Sequence, residues 1–130
     1  MVKTAILTGA SSGLGKEFLA EVVRQFPDVD QLILIARRQE RLAQLALDYP
    51  QKRVIILPLD LTQPASFDAL EAQLAELKPD VKMLINNAGF GTLGDFADMD
   101  RDSQTRMVDL NVRALTALTR IALPYMSRSS

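Results

Sequence analysis

The sequence predicts a doubly wound α/β domain, a parallel sheet of four strands in the order 3-2-1-4 with helices on both faces. Three observations carry that expectation. Short apolar runs alternate strictly with stretches of helical period, four times along the 130 residues, as in parallel sheets wrapped by helices. A proline precedes strands two, three and four, at Pro27, Pro50 and Pro79. All six glycines fall in two segments, Gly9, Gly13 and Gly15 after the first strand and Gly89, Gly91 and Gly94 after the fourth.

The first strand, around Ala5-Ile6-Leu7, leads directly into Thr8-Gly9-Ala10-Ser11-Ser12-Gly13-Leu14-Gly15 and an amphipathic helix. In a strand–turn–helix setting, glycines let backbone N–H groups approach a phosphate at the positive end of a helix. A pyrophosphate is the expected guest. The helix runs from Gly13 to Phe26, with Leu14, Phe18, Leu19, Val22, Val23 and Phe26 on one apolar face. Gln31 to Ala36 is apolar almost throughout, as befits a strand buried on both sides. Helical spacing returns from Arg38 to Asp48 through Leu42, Leu45 and Tyr49.

Val54 to Leu59 is the third strand. Its Pro58 agrees with an edge position, because proline cannot donate to a sheet ladder. Thr62-Gln63-Pro64 starts the next helix with proline in its first turn, and Phe67, Leu70, Leu74 and Leu77 mark its buried stripe up to Pro79. Val81 to Ile85 is the fourth strand, running into Asn86-Asn87-Ala88-Gly89. A long helix from about Arg101 to Tyr125 follows, with Met107, Leu110, Ala114, Leu118 and Ile121 inward.

Composition removes several kinds of chemistry. Fifteen Lys and Arg face sixteen Asp and Glu, for a net charge of −1, so nothing favours nucleic acid or an anionic membrane surface. Cysteine and histidine are both absent, which eliminates disulfides, thiol nucleophiles and the commonest general base and metal ligand. No metal site is expected. No apolar run has the length of a signal peptide core or a membrane span, and a cytoplasmic protein is the expectation.

In the order 3-2-1-4 the two glycine segments lie side by side at the carboxyl ends of strands one and four. That is the switch point where open α/β sheets bind ligands. Service in tight turns is the competing explanation, but the loops at the other end of the sheet contain no glycine. An NAD site places an acid at the end of strand two, to accept from the ribose 2′-hydroxyl. That place holds Ala36, followed by Arg37 and Arg38. No carboxylate there repels a 2′-phosphate, and a guanidinium can grip one with two parallel hydrogen bonds. NADP(H) is therefore the expected cofactor, against the alternative that both arginines only solvate a helix start.

The spacing G-x-x-x-G-x-G behind Thr8, paired with Asn86-Asn87-Ala88-Gly89 after strand four, resembles the short-chain dehydrogenase/reductase family across essentially the whole chain. The resemblance implies a Rossmann-like fold and the family's NADP-preferring branch, although Ser12 stands where many such members carry a basic residue. It implies that the turn, with Gly9, Ser11, Ser12, Gly13, Leu14 and Gly15, holds the pyrophosphate. It places Asn87, Ala88 and Gly89 beside the adenosine ribose. It gives Asp60 and the Leu61 N–H the adenine, where Asp60 as a turn or cap residue is the alternative. It has Asn111 interrupt the last helix and order a water in a proton relay, the alternative being a polar side chain satisfied on the helix surface.

The family's catalytic serine and Tyr-x-x-x-Lys pair have no match. Tyr49 is followed four residues later by Arg53 and Tyr125 by Ser129, and both tyrosines end helices pointing away from the cofactor. The expectation is one coenzyme-binding domain over residues 1–130, the amino-terminal half of an oxidoreductase acting on a small carbonyl or alcohol, with little turnover of its own. Strand four and the last helix are expected to be covered by another copy or a partner. Two other classes compete: a non-catalytic redox-sensing module, and an extended-type dehydrogenase or epimerase, whose glycines are spaced differently.

Overall fold

Side chains alternate across a strand, so each buried strand must feed two cores. In the computed structural model, which describes Met1–Ser130, they do. Strands β1 (Lys3–Thr8), β2 (Gln31–Ala36), β3 (Arg53–Pro58) and β4 (Asp80–Ile85) form one parallel sheet in the order β3-β2-β1-β4. Ala5, Leu7, Leu32 and Leu34 meet Leu19, Val22, Leu42 and Leu45 on one face. These come from helices α1 (Gly13–Gln25) and α2 (Gln39–Ala46). On the other face Ile6, Ile33 and Ile35 meet Leu70, Leu74, Leu118 and Ile121, from α3 (Pro64–Leu77) and α5 (Leu115–Ala122).

Three details differ from the sequence pattern. Of the expected face of α1, Leu19 and Val22 are buried together with Gly15, whereas Leu14, Phe18 and Phe26 are exposed. Successive helical residues are about 100° apart, so a face centred on Leu19 and Val22 turns Phe18 to the side. In β4 the register with β1 shifts between Thr4 and Ala5, which pair with Val81 and Met83. The extra residue is Lys82, whose Nζ lies 3.0 Å from Asp80. This bulge lets Val81 and Leu84 serve one core while Met83 and Ile85 serve the other.

The third difference is in the last helix. It runs as α4 (Arg101–Val108), a π-helical turn over Asp109–Ala114, α5, and a 3₁₀ turn at Leu123–Tyr125. Beyond it the chain itself partly covers the outer edge of β4, the side expected to be covered by another copy or a partner. Met126 pairs in parallel with Val81, and the Ser130 hydroxyl donates to the Val81 carbonyl at 2.7 Å.

Candidate functional site

The carboxyl ends of β1 and β4 are tied together by one side chain. Thr8 Oγ1 is buried and accepts from the backbone N–H groups of Asn87 at 3.0 Å and Ala88 at 2.9 Å. Asn87 Nδ2 returns a hydrogen bond to the Gly9 carbonyl at 3.2 Å. Gly9 has φ +63°, and a Cβ there would stand 2.9 Å from Asn87 Nδ2 and 3.1 Å from the Ala88 backbone. Gly15 is tighter still: a Cβ would run into the Gly9 carbonyl group. The two glycine segments are thus pressed together, as their positions in the sequence predict.

Helix α1 begins beside this junction with its first-turn N–H groups uncapped by any side chain. The hydroxyl of its N-cap, Ser12, makes no capping bond, whereas α4 is capped by Asp100, which accepts from the Ser103 N–H at 3.0 Å. Free N–H donors at the positive end of a helix make an anion site. Ser11 and Ser12, just ahead of the helix, line a cavity of about 540 Å³ that runs across the carboxyl ends of β1, β2 and β3.

The charge in that cavity is one-sided. Arg37, Arg38, Arg41 and Arg106 line it, against the single carboxylate of Asp60. None of these arginines takes part in any of the structure's five ion pairs. On a chain of net charge −1, four unpaired guanidiniums around one cavity mark a place for a polyanion.

Asp60 is both a turn residue and a cavity wall. Its Oδ1 accepts from the Thr62 hydroxyl at 2.7 Å and the Thr62 N–H at 3.0 Å, and its carbonyl accepts from the Ser66 hydroxyl at 2.6 Å. The Thr62 hydroxyl, aided by the Thr62 N–H and the charges of Arg37 and Arg106, holds the carboxyl below the usual aspartate range despite partial burial. A depressed folded-state value means stability that is present above about pH 4, the unfolded aspartate value, and lost as pH falls through the folded value. Thermal melts between pH 5 and pH 3 should therefore show a loss of stability that is smaller in Asp60→Asn.

Asn111 sits inside the π turn and clamps the loop after β4. Its Oδ1 accepts from the Phe90 N–H at 3.0 Å and its Nδ2 donates to the Phe90 carbonyl at 2.7 Å. Gly89 makes room, since a Cβ there would lie 2.6 Å from Asn111 Oδ1. Both hydrogen-bonding groups of the side chain are spent on one backbone unit, and the helix is interrupted at this residue.

Of the residues singled out in the sequence, Gly9, Ser11, Ser12, Arg37, Arg38, Asp60, Leu61, Ala88 and Gly89 line the main cavity. Gly13 lines a smaller neighbour of about 520 Å³. Gly15, Asn87 and Asn111 stand behind these walls, and Leu14 is exposed and lines neither cavity. Arg41, Arg106, Phe90 and Leu110 also line the cavity, and sequence reasoning missed them. Arg41 was within reach, being one helical turn beyond Arg37. Arg106 was not, because it arrives from α4 across the fold. Neither tyrosine borders the cavity. Burial pushes the Tyr49 phenol up, with Asp48 and Glu17 adding to it, the wrong direction for a proton donor near neutrality.

A family model described as short chain dehydrogenase matches residues 3–130. Sulfoacetaldehyde reductase 2 of Chromohalobacter salexigens is 35% identical over 129 residues, covering 97% of this chain and 50% of that protein. The NADP-dependent 3-hydroxy acid dehydrogenase of Schizosaccharomyces pombe is 35% identical over 126 residues, covering 94% of this chain and 48% of its own length. Among solved structures, a short-chain dehydrogenase from Sphingobium yanoikuyae in complex with NADPH superposes with a TM-score of 0.82 at 36% identity. That match covers 95% of this chain and 48% of the other. The chain spans about half the length of the curated relatives it matches. No helix is long and apolar enough to cross a membrane.

Proposed function

The chain belongs to the short chain dehydrogenase family, and from that premise we propose that residues 1–130 form a single NADP(H)-binding domain. The protein it serves would be an oxidoreductase acting between NADPH and a small carbonyl or alcohol substrate. The observation that carries this reading is the cavity beside the glycine turn, with four unpaired guanidiniums and no acid at the end of β2. The residues fit the coenzyme. Gly9 and Gly13, both at positive φ, open the turn to a pyrophosphate at the start of α1, with Ser11, Ser12, Leu14 and Gly15 shaping it. Arg37 and Arg38 stand where a 2′-phosphate would lie. Asp60 keeps Oδ2 for an adenine amino group, with the Leu61 N–H beside it, while Ala88 and Gly89 wall the ribose with Asn87 behind them.

The coenzyme, when bound, supplies the hydride. The chain's own residues bind and orient it, and we assign them little or no turnover, since neither tyrosine reaches the site. The Asn111 side chain holds the Phe90 backbone, and ordering a relay water at this residue belongs to the same proposal. A cytoplasmic location and a second copy or partner over β4 and the last helix, α4 with α5, belong to the same reading. Val108, Val112 and Leu115, exposed along one helical stripe, support the latter, and sedimentation at high concentration tests it.

Calorimetric titration with NADP⁺ and NAD⁺ tests the assignment. A hydrogen bond to a charged group is worth about 1.5–3 kcal/mol, so Arg37→Ala should cut the preference for NADP⁺ roughly tenfold to a hundredfold. An unchanged ratio of affinities would remove Arg37 from the site. Binding without turnover by the natural full-length protein would favour a redox-sensing module instead.

A further inference from the structure

A buried polar thread crosses the sheet at its amino end, remote from the cavity. Thr4 and Gln31 are 0% and 1% exposed, and they stand opposite one another as partners in β1 and β2. Gln31 Nε2 donates to Thr4 Oγ1 at 2.9 Å, and the Thr4 hydroxyl donates to the Val2 carbonyl at 2.9 Å. That carbonyl also accepts from the Asp80 N–H at 2.9 Å, so the thread joins β2, β1 and β4. Gln31 Oε1 is buried with no partner. An unsatisfied buried acceptor is costly, and two apolar side chains of the same shape would avoid that cost.

What the pair supplies is register. Side chains alternate along a strand, so a one-residue slip turns its whole pattern over. A two-residue slip does not. Ile33 and Ile35 feed one core and Leu32 and Leu34 the other. Drawn back two residues along β1, β2 would set Ile35 rather than Ile33 against Ile6, and Leu34 rather than Leu32 against Ala5. The aliphatic pattern barely distinguishes the two registers. Thr4 does, because Ile33 would replace Gln31 beside it. At the carboxyl end the Gly9 N–H donates to the Ile35 carbonyl at 2.9 Å, which sets the glycine turn level with the end of β2. The slip would withdraw Arg37 from that level by about 7 Å.

We propose that the Gln31–Thr4 pair locks the register of β2 against β1, which makes Gln31 a positioning residue that holds Arg37 beside the glycine turn. The role of Arg37 in this rests on the NADP(H) reading above. A polar pair buried among aliphatic neighbours fixes one alignment among several of similar apolar burial.

The test combines Gln31→Met with Thr4→Val, each close in shape to the residue it replaces. Amide spectra of the labelled chain, thermal melts, and calorimetric titration with NADP⁺ and NAD⁺ read the outcome. Thr4→Val alone strips the Gln31 amide of its acceptor and should melt about 4 °C or more below wild type. The double variant should melt no lower than wild type, yet show two sets of amide peaks over residues 32–38. Its preference for NADP⁺ over NAD⁺ should fall roughly twofold or more, as when half the molecules hold Arg37 out of place. A purely structural role would lower the melting point and leave one set of peaks. One set of peaks in the double variant, or a lower melting point or failure to fold, overturns the lock. Two sets of peaks with an unchanged preference overturn the positioning role of Gln31. Two sets of peaks in a protein whose wild type shows no preference for NADP⁺ leave the lock standing and overturn the coenzyme reading.

Discussion

Gly15→Ala is expected to abolish detectable NADP⁺ binding and to lower stability by about 1–3 kcal/mol, the usual cost of overpacking a close contact. The added methyl would meet the Gly9 carbonyl carbon at 2.8 Å and Asn87 Nδ2 at 2.9 Å. Neither neighbour can yield alone, because Asn87 Nδ2 donates to that same carbonyl. Relief requires α1 to move off the sheet, and the N–H groups at its start would leave the glycine turn with it. At about 4 °C per kcal/mol, thermal denaturation registers the stability loss, and calorimetry registers the binding loss. Gly91→Ala is the control. Nothing lies within 4 Å of a Cβ there, and it should match the wild type in both measurements.

Thr8→Val should produce the second large effect. The shape is conserved, yet the Asn87 and Ala88 N–H groups lose their shared acceptor. An unsatisfied buried donor costs about 1–3 kcal/mol, and here the Ala88 N–H is orphaned at the junction of β1 and β4 while the Asn87 N–H keeps only the Ile85 carbonyl at 3.1 Å. Thr8→Ser retains the oxygen and should restore most of the loss. Chemical denaturation of the three proteins separates the hydrogen bonds from the methyl group. If Thr8→Val were as stable as wild type, the tie between the two glycine segments would be incidental.

The strands were legible because their apolar runs are short, bounded by proline, and long enough to show burial on both faces. Even Pro58 on the sheet edge followed from its missing N–H. The bulge at Lys82 was hidden, since Val81-Lys82-Met83-Leu84-Ile85 carries no strict alternation that a register shift would break. The outward turn of Phe18 was hidden too, because a glycine at position 15 decides which face of α1 meets the sheet. In the site, turn residues and the arginines after β2 could be found from local pattern. Arg106 could not, as its place beside Asp60 depends on how α4 crosses the fold. An interruption of the helix at Asn111 was foreseen only through family resemblance, and its π-helical form was not foreseen. Composition marks asparagine as awkward in a helix, yet does not reveal that its amide grips the Phe90 backbone.

The proposed role of the carboxyl rim around the glycine turn, with the arginines that follow β2 and open α2, is to grip a phosphorylated dinucleotide. Backbone amide shifts of the labelled protein, followed on adding NADP⁺, test it most directly. Changes should concentrate at Gly9 to Gly15, Arg37 to Arg41, Asp60 to Thr62 and Ala88 to Phe90. Changes confined to the opposite end of the sheet, near Tyr49 and Tyr125, would contradict it.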